Sequence, residues 1–249
     1  MLKTLESIRN CTLSAKDGEI GKVRNVFFDD EHWTVRYLVV NTTGWLFGRD
    51  VLIMPRSVGS MDHIQHTIHV DLTRQQIKDS PAVDTARPLT LNQELQYHQY
   101  FGWPIYWSGL GAEIPASPIP AIPEPQFPRQ EDVGNSERES NLRSALDLEG
   151  YGIEALDGEL GHVKELLISP DSWRIPYLVL ATRNWWPGKT VVVPTHVFHN
   201  VDWVGRCLSV ALTRDEIREA PAYDPERLQN VAFIDELRDY FAIHAHSHR

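Results

Sequence analysis

Two acidic pairs, Asp17 with Glu19 and Asp157 with Glu159, are the first residues whose type and spacing could do chemistry. Paired carboxylates can divide acid and base roles between them. Each pair, however, flanks a glycine, and Asp-Gly is a tight-turn signal because glycine readily adopts a positive φ. There Asp serves the turn and Glu is expected in solvent. Histidine forms two more groups. His63, His66 and His69 are three apart, but strand alternation puts His66 opposite the other two, so the three do not suit one ion. His244, His246 and His248 would chelate only as a flexible tail. No phosphate-cradling glycine loop, nucleophile elbow or zinc-ligand spacing occurs. The expectation is a non-enzymatic protein with no catalytic, cofactor-binding or metal-binding residues.

Aromatic side chains are the other chemically distinctive group. Trp45-Leu46-Phe47 and Trp185-Trp186-Pro187 fall in expected hairpin loops, where large apolar side chains are costly to expose and contact surfaces are common. Trp45 and Trp185 stand at matched places and are expected to plug a barrel end. Leu46, Phe47 and Trp186 have no such match and are the candidate interaction residues. Trp103-Pro104-Ile105-Tyr106-Trp107 is a third group, with Trp103, Tyr106 and Trp107 as its candidates. It has no counterpart later in the chain and is expected to pack across two modules or against another subunit.

The matching rests on an internal repeat. Asp17-Gly18-Glu19-Ile20-Gly21-Lys22-Val23 returns 140 positions later as Asp157-Gly158-Glu159-Leu160-Gly161-His162-Val163. Trp33 meets Trp173, and Tyr37-Leu38-Val39-Val40 meets Tyr177-Leu178-Val179-Leu180. The side chains then suggest a one-residue slip, with Pro55 and Val58 on Pro194 and Val197. Register returns at Leu72-Thr73-Arg74 and Leu212-Thr213-Arg214. A duplication of a unit of about a hundred residues explains matches this dense and ordered.

Each copy reads as short strands followed by helix. Strands are expected over 20–28, 33–40, 51–54 and 67–72, and at the equivalent places in the second copy. Thr73-Arg-Gln-Gln76 and Thr213-Arg-Asp-Glu216 are capping-box patterns. Longer helices are expected over 91–101 and 231–243. Short strands with tight turns suggest a small barrel, which also hides sheet edges. Between the copies, 104–128 holds seven prolines and reads as a semi-rigid spacer, and 130–143 turns acidic and polar. The domains are therefore 1–107, a linker at 108–141, and 142–249.

Charge narrows the partners. The formal net charge is −10, and neither half carries a cluster of Lys and Arg. Binding to nucleic acid or to anionic lipid by charge alone is thereby disfavoured. Two cysteines without framework spacing, and an N-terminus without a signal-peptide core, suit a soluble cytoplasmic protein. No apolar run approaches the roughly 20 residues of a membrane span.

With these motifs in view, each copy resembles a PRC-barrel domain, the small barrel of the photosynthetic reaction-centre H subunit and of RimM-type ribosome-maturation factors. The residues carrying the resemblance are Asp-Gly-Glu-Ile/Leu-Gly-x-Val, Tyr-Leu-Val-Val/Leu, the Trp loop before Val-Leu-Ile-Met-Pro or Val-Val-Val-Pro, and Leu-Thr-Arg-x-x-Ile. The resemblance implies a mainly β fold with short helices, two PRC-type β-barrels each with a helical extension, and an adaptor that binds a protein partner or itself. The alternatives are a small-molecule or metal-responsive protein and a peripheral subunit of a membrane-associated complex.

Overall fold

The computed structural model describes residues 2–42, 46, 48–85, 87–106, 140–182 and 189–244. Phe47, Trp107 and Trp186 lie outside these, as do Trp45 and Trp185. The first half runs β1 (Lys3–Thr4), α1 (Leu5–Arg9), β2 (Thr12–Ala15), β3 (Gly18–Asp29), β4 (Thr34–Asn41), β5 (Asp50–Ile53), a 3-10 turn (Pro55–Ser57), β6 (Val58–Asp62), β7 (Thr67–Val70), α2 (Arg74–Lys78) and α3 (Leu91–Phe101). The second runs β8 (Leu142–Ser144), α4 (Ala145–Leu148), β9 (Gly152–Ala155), β10 (Gly158–Ile168), β11 (Tyr177–Thr182), β12 (Thr190–Pro194), a 3-10 turn (Thr195–Val197), β13 (Phe198–Asp202), β14 (Cys207–Val210), α5 (Arg214–Glu219), a 3-10 turn (Arg227–Gln229) and α6 (Val231–His244). The fold is mainly β, with two sheets of seven strands and short helices.

The two sheets share one order, β5-β4-β3-β2-β7-β6 and β12-β11-β10-β9-β14-β13. In each, the first and last strands of the path are consecutive in the chain, joined by a 3-10 turn. The backbone equivalence stays at 140 residues throughout: Val58 pairs with Val70 as Phe198 pairs with Val210. The one-residue slip is thus a coincidence of side chains. Pro194 stands opposite Met54, and His63, His66 and His69 correspond to Trp203, Arg206 and Ser209.

The repeated Asp-Gly-Glu-x-Gly now has a physical cause. A Cβ on Gly21 would lie 1.9 Å from the Asn41 carbonyl oxygen, and one on Gly161 would lie 2.0 Å from that of Ala181. Only glycine lets β3 cross β4 there, and β10 cross β11. Asp17 and Asp157 serve more than their turns. Their Oδ1 atoms accept from the backbone N–H of Arg74 and Arg214, at 2.7 and 2.8 Å, and so cap α2 and α5. Both expected capping boxes are formed.

The halves are joined by exchanged strands, which the sequence reading did not foresee. β1 of the first half pairs with β10 of the second, Lys3 against Ile168 and Thr4 against Leu167. β8 pairs with β3 in return, Arg143 against Phe28 and Ser144 against Phe27. These contacts map onto each other under the 140-residue shift, as in an isologous dimer with its subunits fused. The symmetry continues at Thr34 and Arg174, which bridge each other. Val35 N–H donates to the Trp173 carbonyl at 2.8 Å and Ile175 N–H to that of Trp33 at 2.7 Å. Trp33 and Trp173 both take positive φ, 50° and 56°, to make this crossing. Buried apolar side chains of both halves form one continuous cluster.

Two outcomes test this architecture. Gly21→Ala should lower the midpoint of urea unfolding by the equivalent of about 1–3 kcal/mol or more, through overpacking against backbone. Removing residues 1–4 should speed amide exchange at Leu167 and Ile168 in the other half, while exchange in β6 and β7 stays as it was.

Candidate functional site

The first half carries a feature the second lacks: a cluster of ionisable side chains sealed beneath the aromatic segment 103–106. Helix α3 positions it. Thr90 caps the helix with Gln93 completing the box, and Gly102 ends it in the left-handed region at φ 66°. That reversal turns the chain back over the helix. Trp103 is 5% exposed, stacked on Phe101 at 4.2 Å and edge-on to His98 at 6.1 Å. Ile105 is also buried. We call residues 103–106 the strap.

Beneath it, Glu94 and His98 are 1% and 0% exposed. The Tyr37 hydroxyl, brought in by β4, lies 3.0 Å from Glu94 Oε2 and 2.7 Å from His98 Nε2. Tyr106 of the strap donates to the same Oε2 at 2.7 Å. Arg36 lies over the Tyr106 ring at 4.1 Å and bonds Asp29 Oδ2 at 2.8 Å. Burial raises the Glu94 pKa to about 7, against the Tyr106, Ser140 and Tyr37 hydrogen bonds and the Arg36 charge, which favour the carboxylate. Burial lowers that of His98 to about 4, against the backbone of Pro104 and Trp103, which favours the imidazolium. Both shifts favour the uncharged forms of the two side chains.

Asp29, Glu31 and His32 form a second group, their ligand atoms within 4.8 Å of one another. Asp29 Oδ2 already bonds Arg36 and His32 Nδ1, and the guanidinium stands where a cation's charge would act. Its arrangement is that of a salt bridge at the end of β3. Asp29 is held below the ordinary carboxylate range: burial opposes this, and the Arg36 bond and charge outweigh it.

The candidate residues from the sequence separate here. The aromatic contacts of Trp103 lie within its own half, with Phe101 and His98, so it packs its own module rather than bridging two. Tyr106 is half-buried and anchored to Glu94. Leu46 is half-buried, and its carbonyl accepts from the Arg49 backbone N–H at 3.1 Å. The sequence reading missed Glu94, His98, Tyr37 and Arg36. A signal was present: under the 140-residue shift they meet Ile234, Arg238, Tyr177 and Pro176. The ionisable pair thus stands where the other copy has an aliphatic residue and an arginine.

Comparison with known proteins addresses the strands below this cluster. The family model for the PRC-barrel domain matches residues 4–77, from the end of β1 through α2. Over residues 4–77 the chain is thus similar to a PRC-barrel domain. The match contains six strands of the first sheet and supplies Tyr37, Arg36 and Asp29 to the cluster. Glu94, His98 and the strap lie beyond it, on the helical extension of the PRC barrel. The second half repeats the strand order of the matched PRC barrel. No curated protein matches the chain. Among the described residues no helix is long and apolar enough to cross a membrane.

Trp103→Ala removes a buried indole from between Phe101 and His98. It should cost about 3–5 kcal/mol of stability, read as the shift in a urea unfolding curve.

Proposed function

We propose that the chain is a non-enzymatic assembly adaptor that binds a protein partner, or a second copy of itself, through apolar side chains displayed on a fused pair of barrels. The observation that carries this reading is the PRC-barrel match on residues 4–77, a domain of protein-interaction and assembly modules. The strand exchange supports it, because it ties the two sheets to one another and so gives a partner two linked units to meet. The internal commitments of the ionisable groups also favour binding over catalysis. Tyr37, Tyr106, Glu94 and His98 bond one another, where general acid–base chemistry needs a group within reach of substrate.

Within this reading Leu46, Phe47, Trp107 and Trp186 are the contact residues, being apolar, specific to one copy and, by sequence, expected in loops or beside the linker. Trp103 and Tyr106 contribute by fixing the chain that leads into Trp107. The setting is a reducing, cytoplasmic one, consistent with free thiols at Cys11 and Cys207.

The test is a Phe47→Ser/Trp186→Ser double variant. Affinity capture and size-exclusion chromatography should show loss of a stoichiometric partner or of self-association, at an unchanged thermal midpoint. An identical set of partners and an unchanged elution volume would remove these loops from the binding surface.

A further inference from the structure

The first half holds a recess lined by Lys3 of β1, Ile8 of α1, Cys11 just after that helix, Met61 of β6, and His63 and His66 of the turn that follows. Empty space there amounts to about 300 Å³, counting the part open to solvent. Under the 140-residue shift Cys11, Met61, His63 and His66 meet Tyr151, Val201, Trp203 and Arg206. In the second half, rings and guanidinium groups occupy the corresponding place. Tyr151 and Trp203 lie 5.8 Å apart, Arg206 stands over the Tyr151 ring at 4.9 Å, and Arg143 over the Trp203 ring at 5.0 Å. The recess is the room left where Cys11 and His63 replace those two rings.

The turn holds both histidines to this recess. Asp62 Oδ1 accepts from the backbone N–H groups of Ile64 and Gln65 at 2.8 and 2.9 Å, and His66 takes a positive φ of 48°. Thr12 N–H donates to the His66 carbonyl at 2.8 Å, so the chain at His66 runs beside the chain at Cys11. β7 begins only at Thr67, so strand alternation does not separate His63 from His66. Cys11 is 4% exposed, and its Sγ donates to the Ser7 carbonyl at 3.3 Å. His63 and His66 are exposed at the mouth.

A thiol, a thioether and two imidazoles make a ligand set suited to copper. Thiolate and thioether sulfur select Cu(I) over hard cations, and imidazole also binds copper. The chain has two cysteines and three methionines, so one of each beside two histidines is not a matter of composition. None of the four counterparts offers sulfur or imidazole. We propose that Cys11, Met61, His63 and His66 form a binding site for Cu(I). Cys11 binds as the thiolate, giving its proton to solvent and releasing the Ser7 carbonyl. Copper enters and stays as Cu(I), so no electron moves. Burial pushes the Cys11 thiol up and the Lys3 charge acts against this, so the metal has to displace the proton. The two histidines, on an exposed turn, swing inward onto the ion. The inference does not rest on the adaptor reading, because its test uses the chain alone.

That test is an anaerobic titration of the whole reduced chain with Cu(I) bicinchoninate. Wild type should withdraw one equivalent of Cu(I) from the chelator, and X-ray absorption at the copper edge should show two sulfur and two nitrogen neighbours. Cys11→Ser should weaken binding by roughly a hundredfold or more, since losing an outer-shell partner alone costs roughly ten- to a hundredfold. Met61→Leu should leave one sulfur neighbour. A His63→Ala/His66→Ala double variant alters only exposed side chains and should lose the equivalent, which decides the matter if Cys11→Ser does not fold. Cys207→Ser, and alanine at His244, His246 and His248, should bind as wild type does. The proposal is overturned by an equivalent that survives Cys11→Ser or the double histidine variant, or that disappears with Cys207 or the three tail histidines. Absence of copper uptake overturns it too, as does Zn(II) binding as tight as that of Cu(I) with Met61→Leu silent.

Discussion

The structure depends on two strands being longer than their own half can accommodate. β3 is 12 residues long and β10 is 11, yet β2 and β9 cover only their first few residues on one side. The remaining edge would be open to unwanted pairing. In each case the leading strand of the other half fills it. The polar groups at the junction are arranged to serve this exchange. Asn25 bonds Ser144 and the backbone of Leu146, and Glu165, its counterpart, accepts from the backbone of Leu5. Arg143 reaches Asp30 at 3.0 Å and lies over the Trp203 ring. Each sheet is thus completed by a strand from the other half.

The same constraint decides which repeated residues recur. Gly21 and Gly161 exist because a carbonyl lies where their Cβ would be. Asp17 and Asp157 recur because each caps a helix through a backbone amide 57 residues away. Trp33 and Trp173 stand at the symmetric crossing, where each carbonyl accepts a backbone N–H from the other half. The aspartates of the two acidic pairs are thus architectural.

Much of this was legible in the sequence, for identifiable reasons. The duplication, the strand positions, both capping boxes and the α3 boundaries all follow from local spacing. The strand exchange was not legible, because β1 spans two residues and its partner lies over 160 positions away; nothing local marks such a pairing. The slip at Pro55 misled for the opposite reason. Two prolines one residue out of register look equivalent, whereas the hydrogen-bonded ladder keeps its spacing regardless of side chain. The Trp103 segment was recognised as dispensable to a barrel, but its destination depended on Gly102, whose left-handed conformation returns the chain over its own helix.

The buried cluster poses an energetic question that this asymmetry answers. Where the second half places Ile234, the first places Glu94, though burying an ionisable group is costly and an aliphatic replacement is often at least as stable. An apolar contact would hold the strap by area alone and would tolerate sliding. Hydrogen bonds from Tyr106 and Tyr37 to one carboxyl oxygen are directional and set the strap in a single register. Burial pushes the Glu94 carboxyl up to about 7 and the His98 imidazole down to about 4, toward their uncharged forms, which limits the cost. The cluster therefore gives positional definition to the strap, at a place where the two copies differ.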